Sequence, residues 1–416
     1  MTVITVKKSK LQGTVTVSGA KNSVLRLLAA SILTSETLEL GNYPASLLDA
    51  KIHVGMLEVL GKKCTVVDDQ IIIEEQGTLA SELIWEDRSI RNTLLILGAL
   101  VAKNGYGAVP LPGGCPLGGR SYDLHEMLLR KLGAEVWEEE GYLKAKAPHG
   151  GLVGADIHLP IRSTGATENG ILAGCLASGL TRIWNPHIRP EIIDLISMLN
   201  KMGAKITVYG QEHIEIIGVK SLSGVKHDVI ADNMEAITWL VAAVMTKGDI
   251  EIKNFPFDDM EVPLIHLRES GAKFFRGDNS LIVRGGECYP IEISTGPFPG
   301  INSDVQPIFA AYAACARGES CIVDLRFPGR YGYTEEFAKM GVSSSIDGNV
   351  LRINGVGGGL KGATVHAEDL RAGVALALCG LVADGETVIT DAWQILRGYN
   401  NFEEKMKALG GIISVE

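Results

Sequence analysis

Aromatic residues are scarce in this 416-residue chain, at 6%, and basic charge is in deficit, with a formal net charge of −10 at pH 7. That balance argues against nonspecific nucleic-acid binding, which needs a basic face. No apolar run reaches the roughly 20 residues that cross a bilayer as a helix. The opening Met1-Thr-Val-Ile-Thr-Val-Lys-Lys reads as a strand and lacks the shape of a secretory signal. Seven cysteines, an odd number without CxxC spacing, give no sign of a disulfide framework or a zinc site. The run Gly355-Val-Gly-Gly-Gly-Leu360 lacks the Lys-Ser/Thr that completes a phosphate loop, so a turn is expected there. A cytoplasmic protein is expected, with no metal, no cofactor, no membrane and no nucleic-acid partner.

What the chain has in quantity is glycine, 49 residues, within a composition that is 46% hydrophobic. Such a content suits an α/β protein with aliphatic cores and many tight turns. The glycines recur. Gly61, Gly133, Gly203, Gly271, Gly341 and Gly410 each close an amphipathic segment ahead of a strand, at intervals of 72, 70, 68, 70 and 69 residues. A second set, Gly105, Gly179, Gly248, Gly318 and Gly385, ends more uniformly apolar helices. Glycine suits a helix C-terminus because it enters the left-handed region without a Cβ clash. Six units of about 70 residues are therefore expected, too small to bury a core alone and so stacked.

In the second unit the pattern predicts helices over 92–103 and 121–132 and strands over 134–137 and 142–145. In the sixth it predicts helices over 371–383 and 399–409 and strands over 387–390 and 412–415. Two globular sets of three units are expected, the first ending near Lys226 with Val225–Asp232 as the link. A continuous solenoid is the alternative, but its concave face has no need of all-apolar first helices.

Polar residues collect at equivalent points. Lys21-Asn22, Arg91-Asn92, Ser163-Thr164-Gly165, Asp232-Asn233, Asp304 and Asp369-Leu370-Arg371 stand at the starts of the apolar helices. Arg120, Arg189, Arg330 and Arg397 precede four of the marker glycines by 13, 14, 11 and 13 residues. Helix N-termini and guanidinium groups together favour an anion site. Capping and surface ion pairs are the plainer account of most of the Asp and Asn. The segment 110–120, Pro-Leu-Pro-Gly-Gly-Cys-Pro-Leu-Gly-Gly-Arg, holds Cys115 between four glycines and two of its three prolines. Cys115 thus reads as a loop thiol beside Arg120, unlike Cys175, Cys315 and Cys379 in apolar helices. His125 reads as a surface or internally satisfied histidine.

These residues carry a resemblance. Ser18-Gly-Ala-Lys-Asn22, Pro112-Gly-Gly-Cys115-Pro-Leu-Gly-Gly-Arg120, Asp304-Val-Gln306, Asp369-Leu-Arg371 and Arg397-Gly-Tyr399 resemble the UDP-N-acetylglucosamine enolpyruvyl transferase (carboxyvinyltransferase) family over the whole chain. The resemblance implies the two-domain inverted α/β barrel fold, with domains 21–228 and 1–20 plus 229–416 and a site in the cleft between them. It implies transfer of the enolpyruvyl group of phosphoenolpyruvate to a uridine nucleotide sugar, a step of peptidoglycan biosynthesis. Cys115, Asp304, Lys21 and Arg397 take the catalytic positions, Cys115 as the general acid and the thiol alkylated by the epoxide fosfomycin, Asp304 as the base. Lys21, Asn22, Arg120, Arg330, Arg371 and Arg397 match donor-binding positions. Asn22, Arg91, Arg120, Ser121, Tyr122, Asp123, Leu124, Ser163, Thr164, Gly165 and Asp304 match nucleotide-sugar positions.

The chain departs from the family where the acceptor belongs. Ser121 stands for the usual proline, Asn302-Ser303 for Pro-Thr, Ile188-Arg189-Pro190-Glu191 for Arg-Glu-Pro-Glu, and residues 328–333, Pro-Gly-Arg-Tyr-Gly-Tyr, for Glu-Asn-Arg-Phe-Met-His. An altered acceptor such as UMP, in a nucleoside natural-product pathway, is one alternative. A catalytically silent nucleotide-sugar-binding paralogue is another. Shikimate-type chemistry is disfavoured because that branch lacks the loop cysteine.

Overall fold

The computed structural model describes residues 2–88, 90–112, 122–327 and 329–416. Its contacts divide into two compact units, Gly19–Ile230 and Met1–Ser18 with Ala231–Glu416.

Within Gly19–Ile230 three helices, Lys21–Ala30, Thr93–Asn104 and Thr164–Gly174, form the interior. Thr93–Asn104 shows why: Leu94, Leu95, Ile96, Leu97, Ala99, Leu100 and Val101 are all buried, so no polar face remains to meet water. It approaches Thr164–Gly174 closely enough that a Cβ on Gly98 would lie 1.8 Å from Asn169 Oδ1. Around these helices stand sheets of three or four strands. Strands 225–228, 38–41, 70–75 and 62–67 form one, 205–209, 213–217, 180–184 and 156–158 another, and 106–110, 142–146 and 135–139 a third.

The other unit repeats the plan around Asn233–Met245, Gln306–Cys315 and Leu370–Gly380, helices buried over nearly every residue. Its N-terminal strands are inserted into its sheets. Ile4–Lys7 pairs antiparallel with both Glu386–Thr390 and Ile412–Val415, and Gln12–Thr16 pairs parallel with Asp249–Lys253. Among the described residues, no helix is long and apolar enough to cross a membrane.

The marker glycines adopt the backbone the repeat requires, from φ +103° at Gly61 to +83° at Gly410. The second set is less uniform. Gly105, Gly179 and Gly385 are left-handed, but after Asn233–Met245 it is Lys247 that takes φ +51°. Gly248 serves close approach instead, since a Cβ there would lie 2.4 Å from Leu11 O. Gly318 falls inside the strand Arg317–Val323.

Other expectations shift at the edges. The segment read as a link, Val225–Asp232, begins as a strand, Val225–Asp228, parallel to Leu38–Gly41, where it satisfies backbone groups of an otherwise open edge. The expected turn at 355–360 starts later, because the strand Val350–Val356 runs through Gly355. In the last unit the helix is Phe402–Ala408 and not 399–409, since Asn401 at φ +51° interrupts it. Its inner helix likewise ends at Gly380 and not at 383.

Candidate active site

In the unit Met1–Ser18 with Ala231–Glu416, the polar residues flagged in the sequence gather at the starts of the inner helices. Asp369 caps Leu370–Gly380, with Oδ1 accepting from the N–H groups of Arg371 and Ala372 at 2.7 and 2.8 Å. Asp232 caps Asn233–Met245 in the same way, through Met234 and Glu235 at 2.8 and 3.1 Å. Asn302 accepts from the Asp304 N–H at 2.9 Å and opens the turn Ser303–Val305. Capping thus accounts for several of these side chains.

The chemistry lies between them. Arg330 donates through Nη1 to Asp304 Oδ1 at 3.1 Å and through Nε and Nη2 to Asp369 Oδ2 at 3.3 and 3.2 Å. Burial works against its charge, but the two carboxylates outweigh that and hold its pKa above the ordinary arginine value. Arg371 is 3% exposed and stacks its guanidinium 5.4 Å from the Tyr399 ring centre. Its Nη1 is buried and has no hydrogen-bond partner among the described residues. A buried unpaired N–H of a cation is costly unless something accepts it, and an anionic substrate oxygen is a suitable acceptor. Arg397 ends the short helix Trp393–Leu396, which packs against Leu370–Gly380, and donates to Gln394 Oε1 at 3.1 Å. A Cβ on Gly398 would collide with Leu370, so the glycine lets this segment lie beside the helix that carries Arg371.

Within Gly19–Ile230 the inner helices again begin with polar residues. Lys21 is the first residue of its helix, and its Nζ lies 2.8 Å from Asp49 Oδ2 with both side chains largely buried. Asn22 follows it, half-buried. Arg91 precedes Asn92, whose Nδ2 donates to Leu25 O at 2.7 Å and faces His53 Nδ1 at 2.9 Å. Burial, helped by the Arg26 charge, pushes His53 down to about 3, so its ring is neutral. Ser163 caps Thr164–Gly174, and the Thr164 hydroxyl lies 2.7 Å from His187 Nδ1. A Cβ on Gly165 would stand 3.1 Å from His125 Nε2. His125 faces Asn169 Nδ2 at 3.0 Å through Nδ1, and burial with the Arg91 charge pushes it down to about 3. It is an internally satisfied histidine.

Arg189, grouped in the sequence with the anion-binding arginines, forms a bidentate pair with Glu191 at 2.7 and 2.8 Å. Arg26 pairs with Glu168 at 2.6 Å close by. Each of these two arginines thus has a carboxylate partner that offsets its charge. Tyr122 donates to Glu138, and this bond, ahead of desolvation, pushes its phenol up to about 12. Asp123 is exposed and Leu124 half-buried on the first turn of Asp123–Lys131. Cys115, Arg120 and Ser121 lie outside the described residues. Among the described residues, no group of three His, Cys, Asp or Glu side chains is arranged to hold a metal ion.

Sequence reasoning missed Asp49, His53, Glu168 and Asp324. The first three carry no local signal, because their partners are distant in the chain. Asp324 follows a strand at a place held by Asn in three sibling units and by Asp391 in the last, a polar position that aligning the repeats would have exposed.

The sequence profile of EPSP synthase (3-phosphoshikimate 1-carboxyvinyltransferase) matches residues 5–406. The UDP-N-acetylglucosamine 1-carboxyvinyltransferase 1 of Caldanaerobacter subterraneus subsp. tengcongensis is 40% identical over 411 residues, 98% of this chain and 97% of that protein. The UDP-N-acetylglucosamine 1-carboxyvinyltransferase of Finegoldia magna is 39% identical over 419 residues, with 99% and 98% covered. Among solved structures, the enolpyruvyl transferase NikO from Streptomyces tendae superposes with a TM-score of 0.88 at 23% identity, covering 100% of this chain and 98% of that one. EPSP synthase from Acinetobacter baumannii superposes with a TM-score of 0.77 at 17% identity, covering both chains fully. The structural likenesses establish the enolpyruvyl transferase fold, and the sequence likenesses go further: the chain is a transferase that belongs to the UDP-N-acetylglucosamine 1-carboxyvinyltransferase family.

Proposed function

We propose that this enzyme transfers the enolpyruvyl group of phosphoenolpyruvate to a hydroxyl of UDP-N-acetylglucosamine and releases phosphate. The observation that carries the acceptor is the 40% identity, over 98% of the chain, to a relative of that name. The donor reading is supported by the buried Arg371 Nη1, which has no partner among the described residues and is the kind of group a phosphate or carboxylate oxygen satisfies.

Lys21, Asn22, Arg120, Arg330, Arg371 and Arg397 bind the donor's phosphate and carboxylate. Asn22, Arg91, Tyr122, Asp123, Leu124 and Ser163–Gly165 hold the nucleotide sugar, together with Arg120 and Ser121. Asp304 accepts the proton of the attacking hydroxyl as its oxygen bonds to C2 of the donor. Cys115 delivers a proton to C3, giving a tetrahedral intermediate. Loss of a proton from C3 and of phosphate from C2 then restores the double bond in the enol ether product. The cations stabilise the charge that gathers on the departing phosphate. These substrates are charged small molecules of the cytoplasm, where the enzyme is proposed to act.

Phosphate release from phosphoenolpyruvate, measured with UDP-N-acetylglucosamine, UMP and shikimate 3-phosphate in parallel, tests the proposal. Turnover with the first alone is expected. Turnover with UMP alone moves the enzyme to the alternative acceptor, and none with any acceptor removes the activity.

A further inference from the structure

Three strands of this fold are each followed by an asparagine that fastens the neighbouring parallel strand. Asn42, after Leu38–Gly41, donates to Val229 O at 2.8 Å. Asn185, after Leu180–Trp184, donates to Leu159 O at 2.9 Å, and Asn254, after Asp249–Lys253, to Val17 O at 3.1 Å. In each case the acceptor is the residue just past the parallel neighbour, Val225–Asp228, Asp156–His158 or Gln12–Thr16.

The unit that carries Asp304 has a carboxylate at this place instead, as the last unit has Asp391 after Glu386–Thr390, while the second unit has Leu111. The strand Arg317–Val323 is followed by Asp324, a carboxylate with 0% exposure. Oδ1 still reaches the residue past the parallel strand Glu292–Ser294, accepting from the Thr295 hydroxyl at 2.9 Å. The second oxygen does something the asparagines do not: Oδ2 accepts from the Ser303 hydroxyl at 2.6 Å. Oδ1 also takes the N–H groups of Arg326 and Phe327, both at 2.9 Å, and the Asp324 N–H donates to the Tyr331 hydroxyl at 2.8 Å. A buried carboxylate is tolerated when donors fill its lone pairs, and an amide would put an NH2 donor in place of one of the two accepting oxygens.

The two segments gathered this way hold the pair described above. Ser303 immediately precedes Asp304, Tyr331 immediately follows Arg330, and Arg330 donates to Asp304 at 3.1 Å. We infer that Asp324 is a positioning residue that sets the Asp304–Arg330 geometry for the transfer step, an inference that rests on the proposed role of Asp304. It touches no substrate and acts by clamping the turn Ser303–Val305 to the loop that ends at Tyr331.

The test is steady-state phosphate release by the full chain carrying Ser303→Ala, Ser303→Thr or Asp324→Asn, each alone and combined with Asp304→Asn. Ser303→Ala removes one of four donors and leaves the fold intact, which a thermal unfolding midpoint checks. Its kcat is expected to fall about tenfold with both KM values little changed, in line with the rate sensitivity of misplaced catalytic groups. Ser303→Thr, which keeps the hydroxyl, restores the rate, and Asp324→Asn loses more than Ser303→Ala. In the Asp304→Asn background, Ser303→Ala has almost no further effect, because the group it positions is gone. A kcat for Ser303→Ala equal to wild type overturns the inference, as does a loss confined to KM or one that persists in full beside Asp304→Asn. An Asp304→Asn enzyme as fast as wild type instead overturns the role of Asp304, and the inference falls with it.

Discussion

The Arg330 guanidinium donates to Asp304 at 3.1 Å while its other nitrogens hold Asp369. One side chain thus joins the turn that presents a candidate base to the N-terminal cap of the helix that presents Arg371. Its own side chain is 8% exposed, so the ion pairs are screened little by water.

Arg330→Met removes the ion pairs that join Asp304 to Asp369. A loss of about 3 kcal/mol in urea unfolding is expected for breaking a largely buried charge pair from one side. Phosphate release is expected to fall by roughly 100-fold or more, the scale of losing a preorganised charge contact. Arg330→Lys, which keeps the charge without the fork, is expected to recover the stability more fully than the rate. Equal recovery of both counts against a role for the forked geometry.

His53 and His125 set an acid limit on the stability of Gly19–Ile230. Burial pushes both down to about 3 in the folded protein. Below the unfolded value of about 6.5, the unfolded chain binds protons that the folded one refuses, so stability falls as pH drops. The slope is about 1.4 kcal/mol per pH unit for each ring until the folded pKa is reached. Urea unfolding between pH 7 and pH 5 is expected to show the decline, and His125→Gln to flatten it. A stability that is level over this range places these rings in water and not in the core.

Burial pushes the thiols of Cys64, Cys175 and Cys288 up to about 12, and raises those of Cys315 and Cys379 as well. A buried thiol held protonated is a poor nucleophile. Fosfomycin is therefore expected to add at Cys115 and not at these five. Intact mass with peptide mapping checks this, and Cys115→Ser is expected to show no adduct. An adduct on one of the buried thiols contradicts the packing described for it.

Two glycines separate backbone strain from steric exclusion. Gly203 has φ +99° and open space around a built Cβ, whereas a Cβ on Gly218 would lie 1.6 Å from Ala177 O. Gly203→Ala is expected to lose about 1–2 kcal/mol, the ordinary penalty of a left-handed alanine. Gly218→Ala forces backbone apart and is expected to be the more damaging, measured as the difference in urea midpoints. The reverse order contradicts the path of the chain at Gly218.

Much of the fold was legible in the sequence because its signals are local. The period of the marker glycines and the apolar runs 94–101 and 239–245 report helix ends and buried helices without tertiary knowledge. The motifs around Lys21, Cys115, Asp304 and Arg397 pointed to the enolpyruvyl transferase family, which the relatives then established. Less legible were the places where a neighbour overrides propensity. Gly248 is excluded from a side chain by Leu11, and Val225–Asp228 becomes a strand only because Leu38–Gly41 has an edge to offer.

The order of helices and strands, the repeat and the family were written in the chain itself, since periodicity and left-handed glycine act over a few residues. Which charges meet was decided by the tertiary structure. Arg26 finds Glu168 across 142 positions, and Asp194 is bonded by Ser23 across 171. A charged side chain takes its meaning from its partner and its distance from water, and both depend on segments that only folding brings together.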